Sequence, residues 1–265
     1  MTPSIAPLDR DAEARARARQ DRLVKPRGAL GRLEDVACWF AARQGREIPE
    51  PLRVAITVFA GDHGVALRGV SAYPREVTAQ MLAGFAGGGA AVNALARGLD
   101  ARLTVVDVGV AAPRVHRFGV VDARIRDGTA DLVAGPAMTE SEMRSAVEAG
   151  ARCADADAEA GATLLIAGDM GIGNTTAASA LVCAFTGEAP ERIVGLGTGI
   201  EPTRRAFKVE VVGAALARAR AAQPADAAAW LAQLGGLEIA AIAGYLLRAA
   251  ERGVPVLLDG FISAA

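Results

Sequence analysis

Gly168-Asp169-Met170-Gly171-Ile172-Gly173-Asn174-Thr175-Thr176 follows the short apolar run Thr163 to Ala167 and leads into the Ala-rich stretch Ala177 to Ala184. It reads as strand, glycine loop and helix start. A short apolar run closed by glycine suits a buried parallel strand, so the loop joins the carboxyl end of a strand to the amino end of a helix. Gly171 and Gly173 let the backbone come close to a ligand, and the first N–H groups of the helix, with its dipole, suit a phosphate. Asn174, Thr175 and Thr176 can cap the helix or donate to phosphate oxygens. Taken alone, the loop is equally a tight strand–helix turn. It is not a Walker loop, since no GK[ST] follows, and it lacks the third glycine of a dinucleotide fingerprint. Asp169 is awkward beside a phosphate, which directs its carboxylate toward a sugar or an organic ring; its other reading is a partner for the helix dipole.

The 265 residues suffice for one large domain or one domain with a small appendage. Hydrophobic residues make up 52% and aromatics only 4%, which predicts a closely packed core of small side chains. With 29 basic and 30 acidic residues, the net charge of −1 gives no long-range reason to expect nucleic acid or a membrane surface as partner. Cys38, Cys153 and Cys183 are odd in number and widely spaced, as free thiols of a reducing compartment would be. The sequence shows no metal-ligand cluster and no need of a cofactor. The first twenty residues lack the apolar stretch of a signal peptide, and no run reaches transmembrane length. A cytoplasmic protein is expected.

Strand-like runs alternate with Ala-rich helical stretches, the pattern of an α/β fold whose parallel sheet is covered on both faces. Strands are predicted over Arg53 to Ala60, Arg102 to Val108, Thr163 to Ala167 and Val254 to Leu258, with Arg192 to Gly195 as a fifth. Helices are predicted over Leu8 to Leu23, Leu30 to Arg43, Glu76 to Phe85, Ala90 to Gly98, Thr139 to Ala160, Thr176 to Phe185, Pro202 to Ala222 and Leu237 to Arg252. Pro202 fits a first helical turn, and Gly253 followed by Pro255 closes the last helix. Nothing before Arg53 reads as a strand, so residues 1–50 are expected to form a helical appendage to an α/β part spanning 51–265.

Three predicted strands end in acid–glycine loops: Gly61-Asp62-His63-Gly64-Val65, the Asp169 loop, and Asp259-Gly260-Phe261. Ligands of open parallel sheets collect outside the carboxyl ends of strands, so these loops suggest a polar crevice. A further loop, Gly195-Leu196-Gly197-Thr198-Gly199, can lie against a ribose or phosphate, with Thr198 and Gly199 at its tip. Lys208, on the following helix, is the only lysine besides Lys25, in contrast to 27 arginines. It reads as a phosphate or carboxylate contact or as a solvated lysine, and spacing alone favours the latter. His63 suits acid–base work or simple fixing of its loop. His116 has no partner suggested by the sequence. Tyr73, held extended before Pro74, can wall a flat ligand or sit in a surface turn. Gln80 and Met81 follow on a helix, where a solvated amide and core packing are their plain roles.

Taken in order, GDHGV (61–65), GVSAYPREVTAQM (69–81), GGGAAVNALAR (87–97), GDMGIGNTTAASAL (168–181), VGLGTGI (194–200) and PVLLDGFISAA (255–265) resemble the nicotinate-nucleotide:dimethylbenzimidazole phosphoribosyltransferase family. KPRGALGRLEDVA (25–37) is similar to the family's KPPGSLGRLE segment, so the resemblance spans nearly the whole chain. It implies a Rossmann-like large domain, a small helical domain and a homodimer. The implied reaction moves the 5-phosphoribosyl group of nicotinate mononucleotide onto 5,6-dimethylbenzimidazole, releasing nicotinate and inverting the anomeric carbon, as a step in cobalamin biosynthesis.

By the same resemblance, Gly171, Gly173, Asn174, Thr175 and Thr176 would hold the 5-phosphate with Lys208 as its charged partner, which reverses the plain reading of that lysine. Ser71, Tyr73, Gln80 and Met81 would line the benzimidazole pocket. Asp169 stands where members commonly carry a glutamate, one methylene longer, and is the candidate catalytic carboxylate. Members continue past the DGFISAA segment to an RxGEGTGA-like motif whose glutamate is the general base. No GEG occurs in these 265 residues, so the sequence is expected to be part of a longer one, with little turnover by itself. Two other readings are a non-catalytic binder of a nicotinate nucleotide or azole and, more weakly, a Rossmann dehydrogenase, which would require the missing GxGxxG.

Overall fold

The computed structural model describes residues 4–113 and 119–265; His116 lies outside the described residues. The β-branched and aromatic residues of Val54–Gly61 (β1) favour an extended strand, and β1 is the centre of a five-stranded sheet. On one side it pairs with Arg102–Gly109 (β2), which carries Val120–Asp122 (β3) at its outer edge. On the other it pairs with Leu164–Met170 (β4), which carries Val256–Leu258 (β5). All four pairings are parallel, in the order β3-β2-β1-β4-β5. The direction of winding therefore reverses between β1 and β4, the place where such sheets bind ligands.

Alternation along β1 feeds two cores. Ala55 and Phe59 face one cluster, while Ile56, Val58 and Ala60 face another. The second is covered by Val77–Ala86 (α3) and Ala91–Gly98 (α4), through Leu82, Phe85 and Ala96. The first is covered by Glu140–Glu159 (α5), Asn174–Thr186 (α6), Pro190–Ile193 (α7), Pro202–Ala221 (α8), Ala227–Leu234 (α9), Leu237–Glu251 (α10) and Phe261–Ala264 (α11). This is a Rossmann-like α/β fold with helices on both faces. Before the sheet, Arg10–Gln20 (α1) and Arg32–Gln44 (α2) pack on each other around Ala16, Cys38 and Ala41.

Several boundaries differ from expectation. Arg192 to Gly195 is not a strand: Pro190 opens the short helix α7, and the Val194 N–H donates to the Pro190 carbonyl. The fifth strand is instead β3, whose three residues are too short to show a period. β4 runs on through Gly168, Asp169 and Met170 because β1 continues beside it, pairing Phe59 with Asp169 and Ala60 with Met170. Helices α9 and α11 go beyond the sequence expectation, as does the 3₁₀ turn Gly64–Arg68 that follows His63. Pro202 does open α8, and Gly253, at φ +69°, terminates the segment after α10.

α5 begins with a reciprocal cap, in which Thr139 Oγ1 accepts from the Glu142 N–H and Glu142 Oε2 from the Thr139 N–H. It then lies directly against α10. Opposite Gly150 is the Ala241 carbonyl, and opposite Gly244 is the Val147 carbonyl, both too close to admit a Cβ. The helices thus touch backbone to backbone, and Tyr245 reaches through to the sheet, stacking edge-on against Phe59 and donating to Asp157. Gly244→Ala should therefore overpack this contact and cost about 1–3 kcal/mol. Gly213→Ala, inside α8 with nothing within 4 Å of an added Cβ, should instead stabilise by about 0.5–1 kcal/mol. Chemical denaturation of both variants checks the opposite signs.

Candidate active site

The carboxyl ends of β1 and β4 meet at two glycines. Gly171 lies so close to the Gly61 carbonyl that a Cβ there has no room. Gly173 opens α6 at φ +97°, a left-handed conformation that favours glycine, and its own Cβ would meet Ala66 at 3.2 Å. The cap of α6 is therefore Gly173 itself, without a side-chain cap; Asn174, Thr175 and Thr176 do not serve as caps. They are left for other bonds. Asn174 Nδ2 donates to Asp169 Oδ2 at 2.7 Å, and Thr175 Oγ1 accepts from Lys208 Nζ at 2.7 Å. Thr176 Oγ1 is buried without a partner. α3 is tied to this loop by Thr78, whose Oγ1 accepts from the Ile172 N–H.

Lys208 is 1% exposed, and the described hydrogen bond of its ammonium is to a neutral hydroxyl. Burial pulls its pKa down to about 8. Gly197 covers the pair, where an added Cβ would stand 3.0 Å from Thr175 Oγ1 and 3.1 Å from Lys208 Nζ. The same loop reaches the segment before α3: Thr198 Oγ1 lies 3.1 Å from Ser71 Oγ and accepts from the Ala72 N–H, while Arg204 donates to the Ser71 carbonyl. Gly199 is exposed beside it. The structure thus brings together Ser71, the Gly171–Thr176 loop, Thr198 and Lys208. Tyr73 and Gln80 are both exposed: the Tyr73 N–H donates to Ser71 Oγ at 3.3 Å, while Gln80 stands on α3. Met81 packs partly into the core under α3.

Asp169 is half-buried at the end of β4. Burial raises its pKa to about 6, helped by the charges of Glu238 and Asp259 and opposed by the Asn174 bond and His63. Asp259, exposed after β5, therefore bears on the site through its charge. Asp62 is also pushed upward by burial, against the pull of Thr78 and the Ala111 N–H.

His63 has a partner that the sequence reading does not find. Its Nε2 lies 2.6 Å from Glu238 Oε1, with both side chains fully buried. Glu238 is in the first turn of α10, after Gly235-Gly236. The available signal is an acid set between Leu237 and Ile239. Among the described residues, no group of three or more His, Cys, Asp or Glu could hold a metal ion, and no helix is long and apolar enough to cross a membrane. All three cysteines are unpaired.

A glycine loop opening a helix, with a buried lysine bonded to Thr175 and an acid bonded to Asn174, is the arrangement of an enzyme that handles a phosphorylated sugar. Comparison with known proteins agrees. A family model described as phosphoribosyltransferase matches residues 5–265. Nicotinate-nucleotide–dimethylbenzimidazole phosphoribosyltransferase of Chromobacterium violaceum is 55% identical over 262 residues, 99% of this chain and 76% of that protein. The enzyme of the same name from a Roseiflexus species is 49% identical over 98% of this chain and 74% of its own length. A crystal structure of CobT from Thermus thermophilus superposes with a TM-score of 0.90 at 47% identity, covering 96% of this chain and 75% of that one. The chain belongs to the nicotinate-nucleotide–dimethylbenzimidazole phosphoribosyltransferase family.

The depressed pKa of Lys208 has a stability consequence. Below about pH 8 both folded and unfolded chains hold its proton, and the burial cost is felt in full. Between there and 10.5 the unfolded chain holds more protons, so stability rises with pH. Lys208→Met should therefore stabilise the ligand-free protein at neutral pH, by an amount on the order of a few kcal/mol at most. The gain should fade as pH is raised toward 10.5, as thermal unfolding across pH would show.

Proposed function

We propose that this chain transfers the 5-phosphoribosyl group of nicotinate mononucleotide to 5,6-dimethylbenzimidazole, giving α-ribazole 5′-phosphate and nicotinate in cobalamin biosynthesis. The observation that carries this reading is the buried Lys208 ammonium, with no carboxylate in its described bonds, beside the glycine start of α6. A protein tolerates such a charge where an anion arrives to meet it. The phosphate takes N–H groups of the Gly171–Thr176 loop other than those of Ile172, Asn174 and Thr176, which bond Thr78, Gly171 and Gly173, together with the hydroxyl of Thr176 and the Lys208 ammonium. Thr198 and Gly199 close over it, and Ser71, Tyr73, Gln80 and Met81 line the benzimidazole side.

In the transfer, the bond from the anomeric carbon to the pyridinium nitrogen breaks and its electron pair leaves with nicotinate. The leaving ring becomes neutral, so its departure needs little acid help. The ribose passes through an oxocarbenium-like state, and a benzimidazole nitrogen forms the new bond from the opposite face. The azole N–H proton goes to a base; the glutamate that the resemblance implies for this lies in a motif not found in these residues. What Asp169 contributes is negative charge beside the ribose as positive charge develops there. Its shorter side chain is held toward the loop by Asn174.

The assembly belongs to the same reading. Residues 1–50 form part of a small helical domain appended to the α/β part at 51–265, and two copies of the chain associate in the cytoplasm. Supporting the dimer, Leu33, Val36 and Trp39 make an exposed apolar stripe on α2, and Leu257, Leu258 and Phe261 are exposed at the β5 edge. Sedimentation at the mass of a single chain would overturn it. The unpaired cysteines suit a reducing compartment.

Two substitutions test the chemistry. Lys208→Ala should weaken nicotinate mononucleotide binding by about 1.5–3 kcal/mol in calorimetric titration, with less effect on benzimidazole. In a chain extended to carry the base motif, Asp169→Asn should lower kcat far more than it weakens nucleotide binding, because the lost interaction is strongest in the transition state. If the carboxylate form acts, the wild-type rate should fall as pH drops below about 6 and the Asn variant should lose that limb. Unchanged affinity removes Lys208 from the site, and an unchanged kcat removes Asp169 from the chemistry.

A further inference from the structure

The way to the Lys208 ammonium is shut. Lys208 is 1% exposed and Thr176, the other side chain given to the phosphate, is 0% exposed. A single carbon added to Gly197 would already stand 3.1 Å from Lys208 Nζ and 3.0 Å from Thr175 Oγ1, so the space beneath that backbone cannot take a phosphate group. Something must move before a 5-phosphate reaches these atoms.

The covering segment has the features of a moving part. Gly195, Leu196, Gly197, Thr198 and Gly199 are all exposed, and they are strung between Val194 and Ile200, which are 2% and 4% exposed. Glycine stands at every second position, with Gly197 at φ +56° and Gly199 at φ +88°, so the backbone can swing between its two buried ends with little steric restraint. The Gly199 and Ile200 N–H groups both donate to the Leu196 carbonyl, which closes the loop on itself. Among the described residues, the hydrogen bonds from this loop to the rest of the chain are those of one side chain. Thr198 Oγ1 accepts from the Ala72 N–H at 3.1 Å and lies 3.1 Å from Ser71 Oγ. Ser71 is held independently: Arg204 donates to its carbonyl and the Tyr73 N–H to its Oγ. The loop is thus fastened at one point to a fixed neighbour, and it can open by breaking two bonds without unfolding anything else.

We propose that residues 195–199 are a lid over the phosphate site and that Thr198 is its latch, a positioning residue that releases to admit the nucleotide and then fixes the loop over the bound phosphate. The phosphorylated product leaves by the same route. This rests on the phosphate contact given to Lys208 above, and the experiment separates the two.

The chain has two lysines, Lys25 and Lys208, so amine acylation read by peptide mass spectrometry reports on the lid directly. Burial lowers the Lys208 pKa to about 8, so at that pH much of its amine is in the nucleophilic form and access limits its reaction. Lys208 should label more slowly than Lys25, which is ion-paired with Glu34 but not covered by a loop. Thr198→Val keeps the shape of an exposed side chain and removes its bonds; it should speed Lys208 labelling about tenfold, and Thr198→Ser should restore the wild-type rate. Thiol labelling of Cys183, 0% exposed on α6, should stay at its wild-type rate in both variants, because opening the lid is local. A Lys208 rate that equals that of Lys25, that ignores Thr198→Val, or that rises only in step with Cys183 overturns the lid. Saturating nicotinate mononucleotide should shield Lys208. Labelling that Thr198→Val accelerates but the nucleotide does not slow overturns the phosphate contact at Lys208, not the lid.

Discussion

Gly61 and Gly171 meet with no side chain between them, at the point where the sheet reverses its winding. That approach sets the height at which the Asp169 loop leaves β4, and hence where α6 begins and where its N–H groups aim. It also leaves a space behind the loop just large enough for one imidazole and one carboxyl group. A methyl group at Gly171 would move the loop away from β1. The rest of the site is hung from this contact: Thr78 holds the loop from α3, Gly197 roofs the Thr175–Lys208 pair, and Thr198 ties the roof to Ser71.

The charges are arranged to the detriment of the free protein. A lysine with its ammonium buried and several carboxyls gathered at one sheet edge both oppose folding in the absence of ligand. Stability comes from elsewhere, chiefly the small-residue core on the α5–α10 face, where Ala, Gly and Val allow layers to sit close. This division sets a polar edge that is costly to fold against a dense apolar body.

Much of this is legible in the chain. The strand–glycine–helix junction, the proline opening α8 and the glycine after α10 are local signals, written in the residues that obey them. The scarcity of lysine marks Lys208, although its burial depends on the loop at Gly197 folding over it. Local reading fails where partners decide the outcome. Ile193 and Val194 look strand-like but have no strand beside them, whereas Val120 and Val121 form β3 because β2 supplies their hydrogen bonds. Glu238 is hidden for the same reason: an acid in a first helical turn satisfies the dipole rule, and only the non-local approach of Gly61 and Gly171 buries it.

The backbone contact between α5 and α10 has a mechanical consequence. Glu238 lies six residues from Gly244 on the same helix, roughly 9 Å along its axis. With Gly244 wedged against α5, α10 behaves as a rod clamped near its middle with a carboxyl group at one tip. A tilt of about 3° at the clamp would swing that tip by roughly 0.5 Å, the tolerance within which a reacting constellation must be held. The position of the buried Glu238 carboxyl is thus gauged by two glycines at the α5–α10 contact.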